Sequence, residues 1–144
     1  MRLSTSYPLI FVAEDDPDDC EILKEAFRDV IQETRFRFFE NGQKLLEHLR
    51  TLDQRTFPAF ILLDLNMPVM NGFEALGVIK SDPLLRVIPV LVLTTSSSTG
   101  DIWKSYQLGT NSYFTKPRSF EGFTELARAI ETYWLDSARL PVRG

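Results

Sequence analysis

The sequence predicts an α/β fold, a doubly wound five-stranded parallel sheet made from a βα unit repeated five times. Three observations predict it. Short, nearly unbroken apolar runs, Leu9-Ile10-Phe11-Val12-Ala13, Phe60-Ile61-Leu62-Leu63 and Pro89-Val90-Leu91-Val92-Leu93, have the length and continuity of strands buried on both faces. Between such runs the apolar period lengthens to that of helices, most clearly at Ile22, Leu23, Ala26, Phe27 and Val30 and again at Phe123, Leu126, Ala127, Ile130 and Trp134. Each of these runs, and a shorter one at Ser112-Tyr113-Phe114-Thr115, ends in polar residues: Glu14-Asp15-Asp16, Asp64, Thr94-Thr95 and Lys116-Pro117.

Taken in order, the first strand runs from Leu9 to Ala13, and Asp16 before Pro17 marks the N-cap and first position of the helix that follows. The second strand is Phe36-Arg37-Phe38-Phe39, followed by a helical pattern over about residues 43–50 and a polar connection from Leu52 to Pro58. The third strand ends at Asp64, and the pattern over 73–80 is helical. After the fourth strand, Ser98 with Asp101 three residues on reads as a capping box for a helix over 102–108, and Gly109 suits its left-handed end. The last strand and helix complete a core of about residues 9–135, leaving a tail of 136–144 on what is expected to be a single domain of 1–144.

A chain of 144 residues can bury about 68–70% of its unfolded surface, so it needs no covalent staple. The single cysteine, Cys20, cannot form an intrachain disulfide and fits a reducing compartment. No apolar run approaches the ~20 residues of a membrane span, and the amino terminus lacks the pattern of a secretory signal. The chain is therefore expected to be cytoplasmic, with no membrane association. Its net charge of −4, without a clustered Lys/Arg stripe, argues against direct binding of nucleic acid.

If the strands are parallel neighbours, their polar ends meet at one sheet edge, which is where open α/β sheets bind ligands. Two like charges about 4 Å apart cost on the order of 4 kcal/mol at an effective dielectric of 20. Glu14, Asp15 and Asp64 together must therefore share a proton, with a raised pKa, or hold a cation. Oxygen ligands without His or Cys favour a hard dication, and Mg²⁺ is the economical choice. Such a site suits phosphoryl transfer, in which positioning and charge neutralisation do most of the work. Asp64 is the candidate nucleophile, forming an acyl phosphate; Lys116 supplies fixed positive charge and Thr94 a hydroxyl donor.

These elements, Glu14-Asp15, Asp64 with Met67-Pro68 and Gly72, Thr94, and Lys116-Pro117, resemble the receiver domains of two-component response regulators, whose fold is that of the chemotaxis response regulator, flavodoxin-like. The resemblance covers about Leu9 to Leu135. It implies that Asp64 is phosphorylated by a sensor histidine kinase or phosphotransfer protein, and that Asp15, Asp64 and the Asn66 backbone carbonyl bind Mg²⁺, with Glu14 acting mainly through metal-bound water. It further implies that Thr94 and Lys116 contact the phosphoryl group, that Tyr113 is the aromatic switch which turns inward with Thr94, and that Asn66 and Ser96 tune the lifetime of the phosphorylated state. The acidic opening, the Asn-Met-Pro loop and the stretch Leu108-Gly109-Thr110-Asn111-Ser112-Tyr113 are similar to those of single-domain receivers that partner bacterial phytochromes. Output is expected through a downstream protein target or a homodimer.

The chain departs from the commoner family pattern at Asp16, where Asn or an apolar residue is frequent, at Arg118, where an apolar residue is frequent, and at Asn71, where Asp is common. Two other functions are weighed against the switch. A phosphohydrolase with an aspartyl nucleophile usually needs an acid two residues after it, and Asn66 stands there. A phosphate-independent scaffold would not need the charge cluster. Among the remaining residues, Asp18 and Asp19 read as acids favouring the helix dipole, His48 as a solvated surface residue, Cys20 as a small hydrophobe, and Trp103, Tyr106 and Tyr113 as core aromatics by default, with a partner surface as the alternative.

Overall fold

A computed structural model of the protein describes residues 8–31 and 33–141. Five parallel strands, β1 (Leu9–Ala13), β2 (Arg35–Phe39), β3 (Phe60–Leu63), β4 (Val90–Thr94) and β5 (Ser112–Thr115), lie in the order β2-β1-β3-β4-β5. The helices between and after them are α1 (Pro17–Val30), α2 (Gly42–Leu49), α3 (Gly72–Ser81), α4 (Thr99–Gln107) and α5 (Phe120–Ile130). Chain direction across the sheet reverses between β1 and β3, which opens a crevice at their carboxyl ends.

Alternation along the strands divides the core in two. Ile10 and Val12 of β1 face Leu23, Ala26 and Phe27 of α1 and Phe123, Ala127 and Ile130 of α5. Phe11 and Ala13 face Leu45, Leu46 and Leu49 of α2 and Ala75, Leu76 and Ile79 of α3. All four residues of β3 are buried, as the unbroken apolar run requires of a central strand. Helix α4 is different: Ser105 is its only buried residue.

The helix starts follow the expected chemistry. Asp16 caps α1 by accepting from the Asp18 N–H (2.9 Å), with Pro17 at the first helical position. At α3 the Asn71 amide oxygen accepts from the Glu74 N–H (2.9 Å) while the Glu74 carboxylate accepts from the Asn71 N–H (3.1 Å), so asparagine caps as well as the commoner aspartate. The box expected at α4 is only half formed. Ser98 accepts from the Asp101 N–H (3.1 Å), but the Asp101 carboxylate is taken by the Ser96 hydroxyl (2.6 Å).

Gly109, at φ 105°, ends α4 in the left-handed region as expected. Beside it Thr110 donates to the carbonyls of Val90 and Ser112 (3.0 and 2.9 Å), and the Asn111 side chain accepts from the Val90 N–H (2.8 Å), pinning the start of β5 to β4. Beyond Ile130 the chain widens into a π-helical turn, Glu131–Ser137, so the expected tail starts inside an ordered segment; residues 142–144 of that tail lie outside the described residues. Trp134, Leu135 and Leu140 pack partly buried against the α1/α5 side of the core.

The loop after β3 is held tightly. Met70 N–H donates to the Pro68 carbonyl (2.7 Å) around Val69, whose φ of 67° is unusual for a β-branched residue. Gly72 N–H then reaches back to the Leu65 carbonyl (3.0 Å). A Cβ at Gly72 would lie 2.2 Å from the Asp64 carbonyl oxygen and 2.7 Å from Leu65 Cα, so α3 starts where only glycine fits against the strand end. Gly72→Ala is therefore expected to destabilise the fold by about 2–4 kcal/mol, since the obstructing atoms are backbone. A fall in the urea unfolding midpoint at constant m checks this.

Candidate functional site

The carboxyl ends of β1, β3 and β4 and the residue after β5 converge as the strand order requires. Glu14 follows β1 and is buried, because its backbone continues into the sheet through a hydrogen bond from its N–H to the Phe39 carbonyl (2.9 Å). Asp64 follows β3, buried in turn by the bond from its N–H to the Ala13 carbonyl (3.0 Å). Asp15 is exposed. One carboxylate oxygen from each of Glu14, Asp15 and Asp64 lies within 4.8 Å of the other two. That oxygen-only set fits a hard divalent cation.

Lys116 closes the site from the β5 side. Its N–H donates to the Thr94 carbonyl (2.7 Å), fixing the backbone, and its ammonium lies 2.5 Å from Glu14 Oε1, 2.7 Å from Asp19 Oδ2 and 3.1 Å from Asp64 Oδ2. Burial pulls the ammonium pKa down, but hydrogen bonds to Asp19 and Glu14 and the nearby Asp64 charge more than offset this, so Lys116 stays protonated. Glu14 is driven the other way. Burial and the neighbouring Asp64 charge outweigh its bonds to Lys116 and to the Asp16 N–H, raising its pKa to about 7.

Thr94 ends β4 fully buried, and its hydroxyl has no hydrogen-bond partner among the described residues. An orphaned buried hydroxyl at the sheet edge has the chemistry of a donor awaiting an acceptor oxygen. Asn66 N–H points at Asp64 Oδ1 (3.3 Å), which leaves the Asn66 side chain exposed. Ser96 is turned toward the first turn of α4 through Asp101, and the Tyr113 hydroxyl donates to the Ser96 carbonyl (2.8 Å), tying β5 to the loop after β4.

Three readings of the sequence need correction. Asp19 is more than an acid at a helix start, because Lys116 reaches it across 97 residues of chain. Its position was legible in part: with Asp16 as N-cap, Asp19 falls at the third helical position, on the turn nearest the acidic pair. His48 is half-buried against the rings of Phe11 and Phe39, with centroids 5.6 and 5.5 Å away, so it packs as an aromatic and is not a solvated residue. Trp103 and Tyr106 are 67% and 49% exposed and belong to no core; only Tyr113 of the three aromatics is half-buried.

The model of the response regulator receiver domain matches residues 10–128. The chain belongs to that family. As a receiver it is 36% identical over 135 residues to the probable methanogenesis regulatory protein FilR2 of Methanothrix harundinacea, covering 92% of this chain and 87% of the relative. It is 33% identical over 136 residues to the response regulator Rcp1 of Synechocystis sp., covering 92% of each chain. Among solved structures, that of the phosphorylated cyanobacterial phytochrome response regulator RcpA superposes with a TM-score of 0.87 at 36% identity, covering 94% of this receiver and 99% of that chain. The Mn²⁺-bound form of Rcp1 gives 0.83 at 33% identity, covering 93% and 99%. The five-stranded parallel sheet expected from the sequence is the receiver fold, and the Glu14, Asp15 and Asp64 cluster fits the family's phosphorylation site with its divalent cation. Receiver domains work as signalling switches with histidine kinases or other phosphodonors. Among the described residues of this one, no helix is long and apolar enough to cross a membrane.

Two outcomes are expected from this geometry. A carboxyl whose folded pKa of about 7 exceeds its unfolded value of 4.5 binds more protons folded than unfolded between those limits, so its contribution to stability declines as pH rises through that window. Without divalent cation, wild type should therefore lose up to about 3 kcal/mol relative to Glu14→Gln between about pH 4.5 and pH 7, as measured by urea unfolding of both proteins. Thr94→Val removes a buried hydroxyl that has no partner, and should stabilise the resting fold by roughly 1 kcal/mol in the same assay.

Proposed function

We propose that the chain is a phosphorylation switch in which Asp64 accepts a phosphoryl group in a Mg²⁺-dependent reaction. The observation that carries this is the meeting, at the end of β3, of a buried carboxylate, a buried ammonium at 3.1 Å and a cluster of two further carboxylates. In the transfer, an Asp64 carboxylate oxygen forms a bond to phosphorus as the bond from phosphorus to the donor breaks, and the product is an acyl phosphate. The leaving atom is the histidine nitrogen of a kinase or, with acetyl phosphate, the acetate oxygen. Asp15, Asp64 and the Asn66 carbonyl would hold Mg²⁺, with Glu14 acting through a bound water. The metal would neutralise charge on the phosphoryl oxygens.

Lys116 would donate to one phosphoryl oxygen and the orphaned Thr94 hydroxyl to another. Movement of Thr94 would pull on the loop carrying Ser96, to which the Tyr113 hydroxyl is bonded, so that Tyr113 loses its present partner and can turn inward. Helix α4 is suited to respond, since it buries only Ser105 and is held from the side by the Lys104 ammonium 4.2 Å above the Phe73 ring. The exposed Trp103 and Tyr106 lie on that helix and would form part of the surface read by a downstream protein or a second copy. Asn66 and Ser96 would set the lifetime of the phosphorylated state.

The unit that does this is read as one receiver domain, core residues 9–135, acting in the cytoplasm as a phosphoacceptor with no turnover of outside substrates. Asn66, two residues after Asp64, offers no carboxyl to protonate a leaving group. The phosphodonor is a sensor histidine kinase or phosphotransfer protein, and the likeness to RcpA, a phytochrome response regulator, favours a phytochrome-like kinase. Incubation with acetyl phosphate and Mg²⁺ should give a single phosphoryl adduct by intact mass, absent in Asp64→Asn and at least about tenfold slower after chelation of the metal. An adduct of equal yield on Asp64→Asn would overturn the assignment.

A further inference from the structure

The Lys116 ammonium has three N–H donors, and three carboxylates, Glu14, Asp19 and Asp64, occupy them at 2.5, 2.7 and 3.1 Å. Two of these partners, Glu14 and Asp64, also belong to the cation cluster; Asp19, on the first turn of α1, does not. In the resting protein the lysine is thus a cation seated on two of the three carboxylates of the cation cluster. A divalent ion held directly by Asp64, and by Glu14 through a bound water, repels the ammonium and draws on the same two carboxylates.

The displaced ammonium cannot simply leave. Its side chain is 7% exposed, and a buried charge without a partner is costly. Asp19, 23% exposed and already at 2.7 Å, remains as a carboxylate able to keep it. We infer that Asp19 is a positioning residue for the cation-dependent step, holding the Lys116 ammonium when a divalent ion draws on Asp64 and, through water, on Glu14. The inference rests on the reading of Glu14, Asp15 and Asp64 as the cation site.

Asp19 thereby favours cation binding in two ways that have the same sign. It adds negative charge near the site, and it gives the lysine a place to go. Without it, the only carboxylates left among the ammonium's three partners are those the metal needs. Loss of Asp19 should weaken cation binding through Lys116, and this separates it from an ordinary surface acid on the same turn. Asp18 provides the comparison, being exposed and next to Asp19 but outside the ion pairs of Lys116.

Mn²⁺ binding to the full chain, without phosphodonor, can be followed through the electron paramagnetic resonance signal of the free ion. Asp19→Asn is expected to weaken Mn²⁺ binding about fivefold, and Asp18→Asn less than about twofold. In a Lys116→Met background, Asp19→Asn should weaken binding no more than Asp18→Asn does, because only the general effect of a nearby charge remains. Asp19→Ala serves as a second substitution, and matching far-UV circular dichroism confirms that each variant is folded. A loss in Asp19→Asn no greater than in Asp18→Asn, or an equal loss with and without Lys116, overturns the role given to Asp19 and leaves the cation site intact. If the unsubstituted chain does not bind Mn²⁺, the cation reading fails as well.

Discussion

The arrangement of this site follows from one electrostatic constraint, the need to hold several carboxylates together at the dry end of a parallel sheet. Coulomb repulsion between unit charges about 4 Å apart is worth about 4 kcal/mol at an effective dielectric of 20. The buried ammonium of Lys116 meets the constraint in the resting protein by contacting Glu14, Asp19 and Asp64 at once. Compensation is incomplete: burial above all, with the Asp64 charge adding to it, still pushes Glu14 up to about 7. A site left short of positive charge in this way fits a divalent cation, which would in turn favour an anionic phosphoryl group. The same shortage of compensation that weakens the resting fold therefore prepares it for its ligand.

The rest of the fold makes that convergence unavoidable. β3 is buried along its whole length between β1 and β4, so Asp64 cannot move away from Glu14 without breaking the sheet. On one side α1 brings Asp19 to the lysine; on the other, Gly72 lets α3 begin against the Asp64 backbone. These parts are rigid because they are shared with the two halves of the core. Helix α4 contrasts with them, and the orphaned Thr94 hydroxyl and the Tyr113–Ser96 bond lie between the rigid charge site and this loosely seated helix. A charge change at Asp64 thus has a physical route to a surface that carries exposed Trp103 and Tyr106.

The amino-acid sequence by itself determined the strands, their parallel order of use and the acidic and basic residues at their ends, because buried strands and amphipathic helices write local periods that do not depend on what they pack against. The helix start at Asp16 and the end at Gly109 were equally local. Glu14, Asp15, Asp64, Thr94 and Lys116 could be singled out because each directly follows or ends a strand-like run. Only the tertiary structure decided which of these charges touch. It paired Lys116 with Asp19 across 97 residues, turned the Asp101 carboxylate from its own helix cap to Ser96, packed His48 against two phenylalanine rings that also touch each other and left Trp103 and Tyr106 outside the core. Those outcomes depend on distances between segments far apart in the chain, set by the packing of whole helices on the sheet. No local period encodes such distances.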